Sequence, residues 1–158
     1  MAEDHAARAW ELMEKIRTCM LVTWDGQAQR ARPMSAIAKR EEHTVYFLTD
    51  ARADLAAQME RFPTVTLAFS EPASEKYVTT SGHGEVSNDR AKIKELWSPY
   101  AKAWFDSADD PNIRVLKVTP QDAEFWDMPG RLVSSVKMLT AAATNTRPDL
   151  GEVQKVRL

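Results

Sequence analysis

Residues 64–87, TVTLAFSEPASEKYVTTSGHGEVS, hold two extended segments separated by a polar turn. Apolar and polar residues alternate through the first segment, 64–69, which is the period of a half-buried strand. The second segment, 76–87, carries Gly82 and Gly84 on one face. Glycines inside a strand indicate sharp coiling or close approach of another backbone, so this hairpin predicts part of a small barrel.

Further strands and helices are predicted on both sides of this hairpin. Helical periodicity predicts helices at 3–17, 51–62 and 89–104, with Pro99 breaking the last one. Short strands joined by hairpins, with helices inserted between them, favour a closed antiparallel barrel that is mainly β, in one domain over residues 1–158. The six predicted strands are 18–24, 28–39, 44–49, 64–69, 76–87 and 113–119.

Turn residues refine this picture. Asp25-Gly26 lies between the first two predicted strands and is typical of a two-residue hairpin loop. Pro33 cannot donate a backbone hydrogen bond, which predicts an edge or bulged position for the second strand. From Pro129 onward the periodicity fades, and a mobile tail is predicted from about residue 143.

Composition restricts the class of function. The chain has 158 residues, a net charge of −2 and one cysteine, Cys19. The charge argues against a nucleic-acid-binding surface, and no internal disulfide can form. No apolar run is long enough to span a bilayer and no secretory signal begins the chain, so we expect a cytoplasmic protein without membrane or nucleic-acid partners.

Several kinds of catalytic site are disfavoured by missing motifs. The chain has no glycine-rich phosphate loop and nothing that resembles a nucleophile elbow. His5, His43 and His83 are far apart in sequence, and no histidine or cysteine stands at metal-ligand spacing. We therefore predict no metal site and name no catalytic acid, base or nucleophile.

One region remains suited to an anion. Arg32 lies in a predicted strand, and Thr49 ends another strand just before a helix. A phosphate there would receive the charge of Arg32, the Thr49 hydroxyl and the free amides of the helix N-terminus. The backbone of 33–35 would line a flat aromatic ring.

These residues belong to a wider pattern. The chain resembles the pyridoxamine 5′-phosphate oxidase-like FMN-binding split barrels, and within them the general stress protein 26 branch. The resemblance covers most of residues 10 to 130, and three of its stretches are together quite specific to that branch. The stretches are 30–35, 46–49, 63–69, 82–86, 89–93, 95–99, 104–105, 109–111 and 120–127, and the specific ones contain Trp97-Ser98-Pro99, Trp104-Phe105 and Ala123-Glu124-Phe125-Trp126-Asp127.

The resemblance implies a six-stranded antiparallel split β-barrel with flanking helices, forming a homodimer with FMN at the subunit interface. By resemblance, Arg32 and Thr49 hold the phosphate, and Trp126 approaches the flavin from the other subunit. The segment Pro33-Met34-Ser35 lies along the isoalloxazine. The expected FMN site comprises Arg32, Pro33, Met34, Ser35, Phe47, Leu48, Thr49, Arg52 and Trp126.

The chain departs from this family at the phosphate end. The family has a serine and a lysine where this sequence has Ala53 and Leu55. Losing the lysine removes a charge-assisted contact worth about 1.5–3 kcal/mol. Asp50 and Asp54 add repulsion against a phosphate, and they also suit a helix start, Asp50 as its N-cap. Arg52 and Arg30 are the candidate compensating cations.

The sequence is compatible with two functions of different classes. The first is flavin-dependent oxidation or reduction of a small molecule, with the chemistry supplied by the flavin. The alternative is a non-catalytic, stress-related split-barrel dimer with weakened or lost FMN binding. A deazaflavin or haem in the same cleft is a third option that no residue here selects.

Overall fold

The computed structural model describes residues 2–158 and is mainly β, as expected from the sequence. Its eight strands outnumber the six predicted, because the predicted strand 28–39 is interrupted at Ala36 and because another strand lies near the C-terminus. The strands are β1 Thr18–Trp24, β2 Gln29–Ser35, β3 Ile37–Lys39, β4 Thr44–Asp50, β5 Thr64–Glu71, β6 Lys76–Ser87, β7 Ile113–Asp127 and β8 Glu152–Arg157. The α-helices are α1 Ala2–Ile16, α2 Asp54–Arg61, α3 Arg90–Leu96 and α4 Arg131–Thr144, with short 3-10 helices at Arg40–Glu42 and Pro99–Ala103.

The strands form one curled antiparallel sheet, which is the split barrel that the sequence predicts. Seven of them follow the order β2-β1-β5-β6-β7-β4-β3. The long strand β7 pairs with β6 over most of its length, with β4 through its first half and with β8 through its second half. β2 is the last strand of this path, so Pro33 lies in an edge strand as predicted.

A bulge in the β6–β7 pair explains Gly82, one of the two glycines that first suggested a barrel. The register shifts between Ser81 and Gly82, where β7 turns at Pro120. A Cβ at Gly82 would collide with the backbone carbonyl of Thr119. Gly82 therefore permits the close backbone approach that lets the sheet curl.

The inner face of the sheet holds the main core. Phe47, Leu67, Phe69 and Phe125 are buried there, and α1 covers this core with Met13 and its neighbours. A second, smaller core lies between β4, β7 and α3. The two cores fix which face of each strand is turned inward and so determine where polar side chains of the barrel can meet.

Two predictions about the ends of elements are wrong in detail. The tight turn after β1 is centred on Gly26-Gln27 and not on Asp25-Gly26, because the Asp25 amide donates to the Ala28 carbonyl at 3.0 Å. The Asp25 carboxylate also accepts hydrogen bonds from the amides of Gln27 and Ala28, each at 2.7 Å. Helix α2 begins at Asp54, three residues later than predicted, and its N-cap Ala53 has no side-chain hydrogen bond. Asp50 is therefore not the N-cap.

The C-terminal segment contains structure that the sequence analysis did not predict. The 14-residue helix α4 follows Gly130, and β8 then pairs with β7 in a regular antiparallel register, Asp122 opposite Arg157. Residues 152–157, which were expected to lie in a mobile tail, are thus a strand of the sheet.

Candidate functional site

Arg32 is turned toward the inside of the barrel. It lies opposite Leu21 in the β1–β2 pair, and Leu21 is fully buried. The Arg32 Nη1 donates to the Leu21 carbonyl at 3.3 Å and to the Thr23 hydroxyl at 2.8 Å. Its Nη2 donates to Oε1 of Gln58 in α2 at 3.1 Å. The guanidinium is thereby fixed between an edge strand and a helix.

Thr23 and Gln58 form the remaining side of this cluster. The Thr23 hydroxyl donates to Oε1 of Gln58 at 2.6 Å, and Thr23 is only 2% exposed. Gln58 lies three residues after the buried Leu55 and so is on the face of α2 that meets the sheet. Sequence analysis missed both residues, although a polar residue on the buried stripe of a predicted helix was a signal for Gln58.

The cluster leaves Arg32 able to bind an anion. Burial lowers the pKa of its guanidinium, and Asp54 opposes this effect by its charge. An arginine has five N–H donors, and three of those of Arg32 are used in the bonds above. The other two make no hydrogen bond within residues 2–158, which is the number that a bidentate phosphate contact requires.

Thr49 and Arg52 lie at the end of β4 and just beyond it. Thr49 is 7% exposed and pairs with Arg114 of β7. Arg52 is exposed, but its Nε and Nη2 both donate to the Asp50 carboxylate, at 2.9 and 2.6 Å. The Arg52 guanidinium holds the Asp50 pKa at about 2, so the two charges compensate each other. Arg52 is therefore a weaker anion ligand than its charge alone suggests.

The two departures from the family pattern differ in their surroundings. Leu55 is 5% exposed and packs into the main core. As a buried leucine it offers a bound ligand no polar group. Ala53 is half-buried and stands at the uncapped start of α2.

The residues expected beside an isoalloxazine fall into two groups. Pro33 and Ser35 are exposed on the edge strand, and Met34 points inward and packs partly against the core. Phe47 is fully buried, so only its backbone can line a cleft. Leu48 is half-buried and packs against the second, smaller core.

Trp126 lies apart from Arg32 within one chain. It projects from the outer face of β7 opposite Tyr77, whereas Arg32 projects inward from β2. Four strand steps separate β2 from β7, which is about 19 Å around the sheet. The structure of one chain does not bring Trp126 to the Arg32 cluster.

Other site classes find no support in the described part of the chain. Residues 2–158 contain no group of histidine, cysteine and carboxylate side chains suited to a metal ion. They also contain no helix long and apolar enough to cross a membrane.

The curled antiparallel sheet with its flanking helices defines this molecule as a split-barrel protein. The profile of the family described as pyridoxamine 5′-phosphate oxidase like matches residues 4–149. The chain belongs to the pyridoxamine 5′-phosphate oxidase-like family.

The relatives of this chain include general stress proteins. It is 29% identical over 82 residues to general stress protein 26 of Bacillus subtilis (strain 168), a match of 50% of this chain and 59% of that protein. The chain thus spans less than two thirds of this curated relative.

Two solved structures share the fold over longer stretches. A protein described as general stress protein 26 from Jannaschia sp. CCS1 is 30% identical, with a TM-score of 0.85 and 100% coverage of both chains. The general stress FMN/FAD binding protein from Xanthomonas citri is 28% identical, with a TM-score of 0.68, covering 78% of this chain and 89% of that chain.

Proposed function

We propose that this chain is a cytoplasmic, homodimeric flavin-binding protein that takes FMN and supports oxidation or reduction of a small molecule. The observation that carries the proposal is the inward-facing guanidinium of Arg32, positioned by Thr23 and Gln58 with two N–H donors left for a phosphate. The flavin would supply the redox chemistry, and the protein would supply binding and orientation.

The residues present fit this cofactor in part. Arg32 would hold the phosphate, with the Thr49 hydroxyl and the free amides at the start of α2. The exposed edge of β2 at Pro33 and Ser35, and the half-buried Met34, would line the ring. A relative with 28% identity is described as FMN/FAD binding, which supports the flavin but not the choice between FMN and FAD.

The distance of Trp126 supports the dimer. Trp126 and Arg32 lie on opposite faces of the sheet, with three strands between β2 and β7. If Trp126 contacts the flavin, as the family resemblance implies, it must come from the other subunit. A flavin site made in this way is complete only in the homodimer.

A second function is favoured by one specific observation. Leu55 is buried in the core and Arg52 is paired with Asp50, so the phosphate end offers one well-placed cation, Arg32. A loss of about 3 kcal/mol at this end would lower affinity more than a hundredfold. The alternative is therefore a stress-related split-barrel dimer that binds FMN weakly or not at all.

The visible absorption spectrum separates the two functions. The untagged protein would be measured as purified, then again after adding excess FMN and desalting. Retained flavin absorption supports the flavoprotein proposal. A colourless protein after both treatments would contradict tight FMN binding and favour the alternative.

A further inference from the structure

Helix α4 has its polar and apolar faces reversed relative to an ordinary surface helix. Leu132, Val136, Leu139 and Ala143 follow a 4-3-4 spacing, and the three large ones are 80%, 55% and 73% exposed. This spacing is that of the apolar seam by which one helix packs on another surface. We call these four residues the α4 seam.

The opposite face of α4 is the one that meets the body of the protein. Ser134 and Ala141 are buried, at 7% and 6% exposure, and Ser134 donates a hydrogen bond to the Glu75 carboxylate. At about 100° per residue, these two lie on the side of the helix away from the seam. An amphipathic helix on a monomer turns its apolar face inward, so the seam is built for another surface.

The seam suits a protein surface of low charge. The only charged residues of α4 are Arg131 and Lys137, and both lie off the seam. The residues that flank the seam most closely, Ser135 and Thr140, are small and uncharged. Nothing along the seam selects a charged partner or opposes a second copy of the same chain.

The same chain carries a receiving surface. A groove of about 460 Å³ lies where β1 and β5 meet the end of α2. Its apolar lining residues are Val22, Trp24, Phe62 and Pro63, and Arg61 with four polar residues completes the lining. Trp24 and the neighbouring Met20 are each 39% exposed on the outer face of β1. The groove therefore offers apolar surface that a single chain leaves uncovered.

The positions of seam and groove suit a twofold axis. The start of α4 is tied to the β5–β6 turn, where the Arg131 amide donates to the Ala73 carbonyl at 3.5 Å. The groove lies at the other end of β5, beside Thr64. A twofold axis across the sheet that reverses β5 brings the α4 end of one copy over the groove end of the other.

The area needed for a stable dimer favours a repeated contact. A 14-residue helix is about 21 Å long and about 10 Å wide, so one seam contact covers roughly 200 Å². A stable interface needs about 800 Å² from each partner. Two reciprocal contacts give each partner roughly 400 Å², about half of this area, so the outer sheet face between them must supply the remainder.

We propose that the α4 seam packs into the groove beside Trp24 of a second copy of this chain, and that this contact is made twice about a twofold axis. The inference rests on the homodimer of the proposed function and assigns two surfaces to its interface.

Sedimentation velocity of the full chain over a range of concentrations tests the seam. Leu139→Asp should raise the dimer dissociation constant at least about tenfold, as for an anchor residue of an interface. Met138→Asp is the matched control, because Met138 is 56% exposed on the same helix but off the seam, and its dissociation constant should stay within about twofold of the unmodified chain. An unchanged constant for Leu139→Asp would overturn the proposal.

Thr64→Arg tests the groove in the same measurement, and it should weaken the dimer as Leu139→Asp does. If Leu139→Asp weakens the dimer and Thr64→Arg does not, the groove is the wrong receiving surface. If neither change weakens the dimer, the proposed contact between seam and groove is wrong, whereas the proposed homodimer still stands. A chain that is monomeric at every concentration overturns this inference and the homodimer together, and the absorption spectrum still reports flavin binding separately.

Maleimide labelling of Leu139→Cys gives a second readout. Its rate should fall as the protein concentration rises through the dimer dissociation constant. The native Cys19 is 2% exposed and burial raises its pKa to about 12, so labelling reports the introduced thiol. A rate independent of concentration would contradict burial of the seam.

Discussion

Arg32 and Gln58 join the edge strand β2 to helix α2 through a hydrogen bond of 3.1 Å between Nη2 and Oε1. The same Oε1 accepts the hydroxyl of Thr23 at 2.6 Å. One amide oxygen therefore anchors both a charged and a neutral group of the inner face. This linkage keeps the Arg32 guanidinium in place without a bound anion.

Gln58→Ala should remove this anchor. We expect the free energy of unfolding to fall by about 1 kcal/mol, because Arg32 and the buried Thr23 each lose a hydrogen-bond partner. Urea denaturation measures the change. Gln27→Ala is the control, since the Gln27 side chain makes no hydrogen bond within residues 2–158. Equal stability of the two variants would show that the cluster is not structural.

Ala53→Ser should stabilise α2. Its N-cap has extended backbone angles, φ −70° and ψ 142°, but no side-chain hydrogen bond, and serine at that position typically contributes about 1 kcal/mol. Thermal or urea denaturation would show the gain. Ala57→Ser, on the exposed side of the same helix, should instead lose a few tenths of a kcal/mol. A loss of stability in Ala53→Ser would contradict the assignment of the cap.

Leu55→Lys in the Ala53→Ser background tests the phosphate end. The added lysine should raise FMN affinity at least about tenfold, because it restores a charge-assisted contact. It should also lower stability by about 2–5 kcal/mol, because Leu55 is 5% exposed in the core. Calorimetric titration with FMN and urea denaturation measure the two effects. Unchanged affinity in a folded variant would show that position 55 does not face the phosphate.

Asp127 should give the protein a specific acid sensitivity. Arg8 and then Lys76 lower the pKa of its carboxyl, through contacts of 2.6 and 2.7 Å. Because the folded pKa is below the unfolded value of about 3.9, this stabilisation is present above that pH and is lost as pH falls through the folded pKa.

Asp127→Asn should therefore cost about 1–3 kcal/mol at pH 7 and less at lower pH, since the wild-type carboxyl becomes neutral there. Urea denaturation from pH 7 to pH 3 measures this convergence. Asp106→Asn, at an exposed loop position, is the matched control for removing one carboxylate from the chain. A constant difference at every pH would contradict the role of the Asp127 charge.

Much of the fold could be predicted because its strands alternate regularly. β1 and β6 have the predicted bounds, and the glycines of β6 correctly indicated a tight barrel. Helix α4 was missed because residues 139–144 are small and alanine-rich, which weakens the helical spacing of its apolar residues. β8 was missed because Val156 is its one buried residue and most of its other side chains are polar.

Less of the candidate site could be predicted. The sequence placed Arg32 in a strand, but a strand pattern does not show which helix its side chain will meet. Thr23 and Gln58 are 35 residues apart and belong to no motif, so their contact depends on how α2 packs. Aspartate is a residue type that favours the N-cap, yet Asp50 pairs with Arg52 because α2 starts only at Asp54.

FMN titration of the wild-type chain beside Arg32→Ala and Arg30→Ala tests the central claim most directly. Arg30 is on the same strand but 58% exposed and paired with Asp25 at 2.7 Å, so its loss should change affinity little. We predict saturable binding by the wild type and a loss of about 10- to 100-fold in Arg32→Ala, the value of one charge-assisted contact. Equal affinity of all three proteins, or no saturable binding by the wild type, would contradict the account.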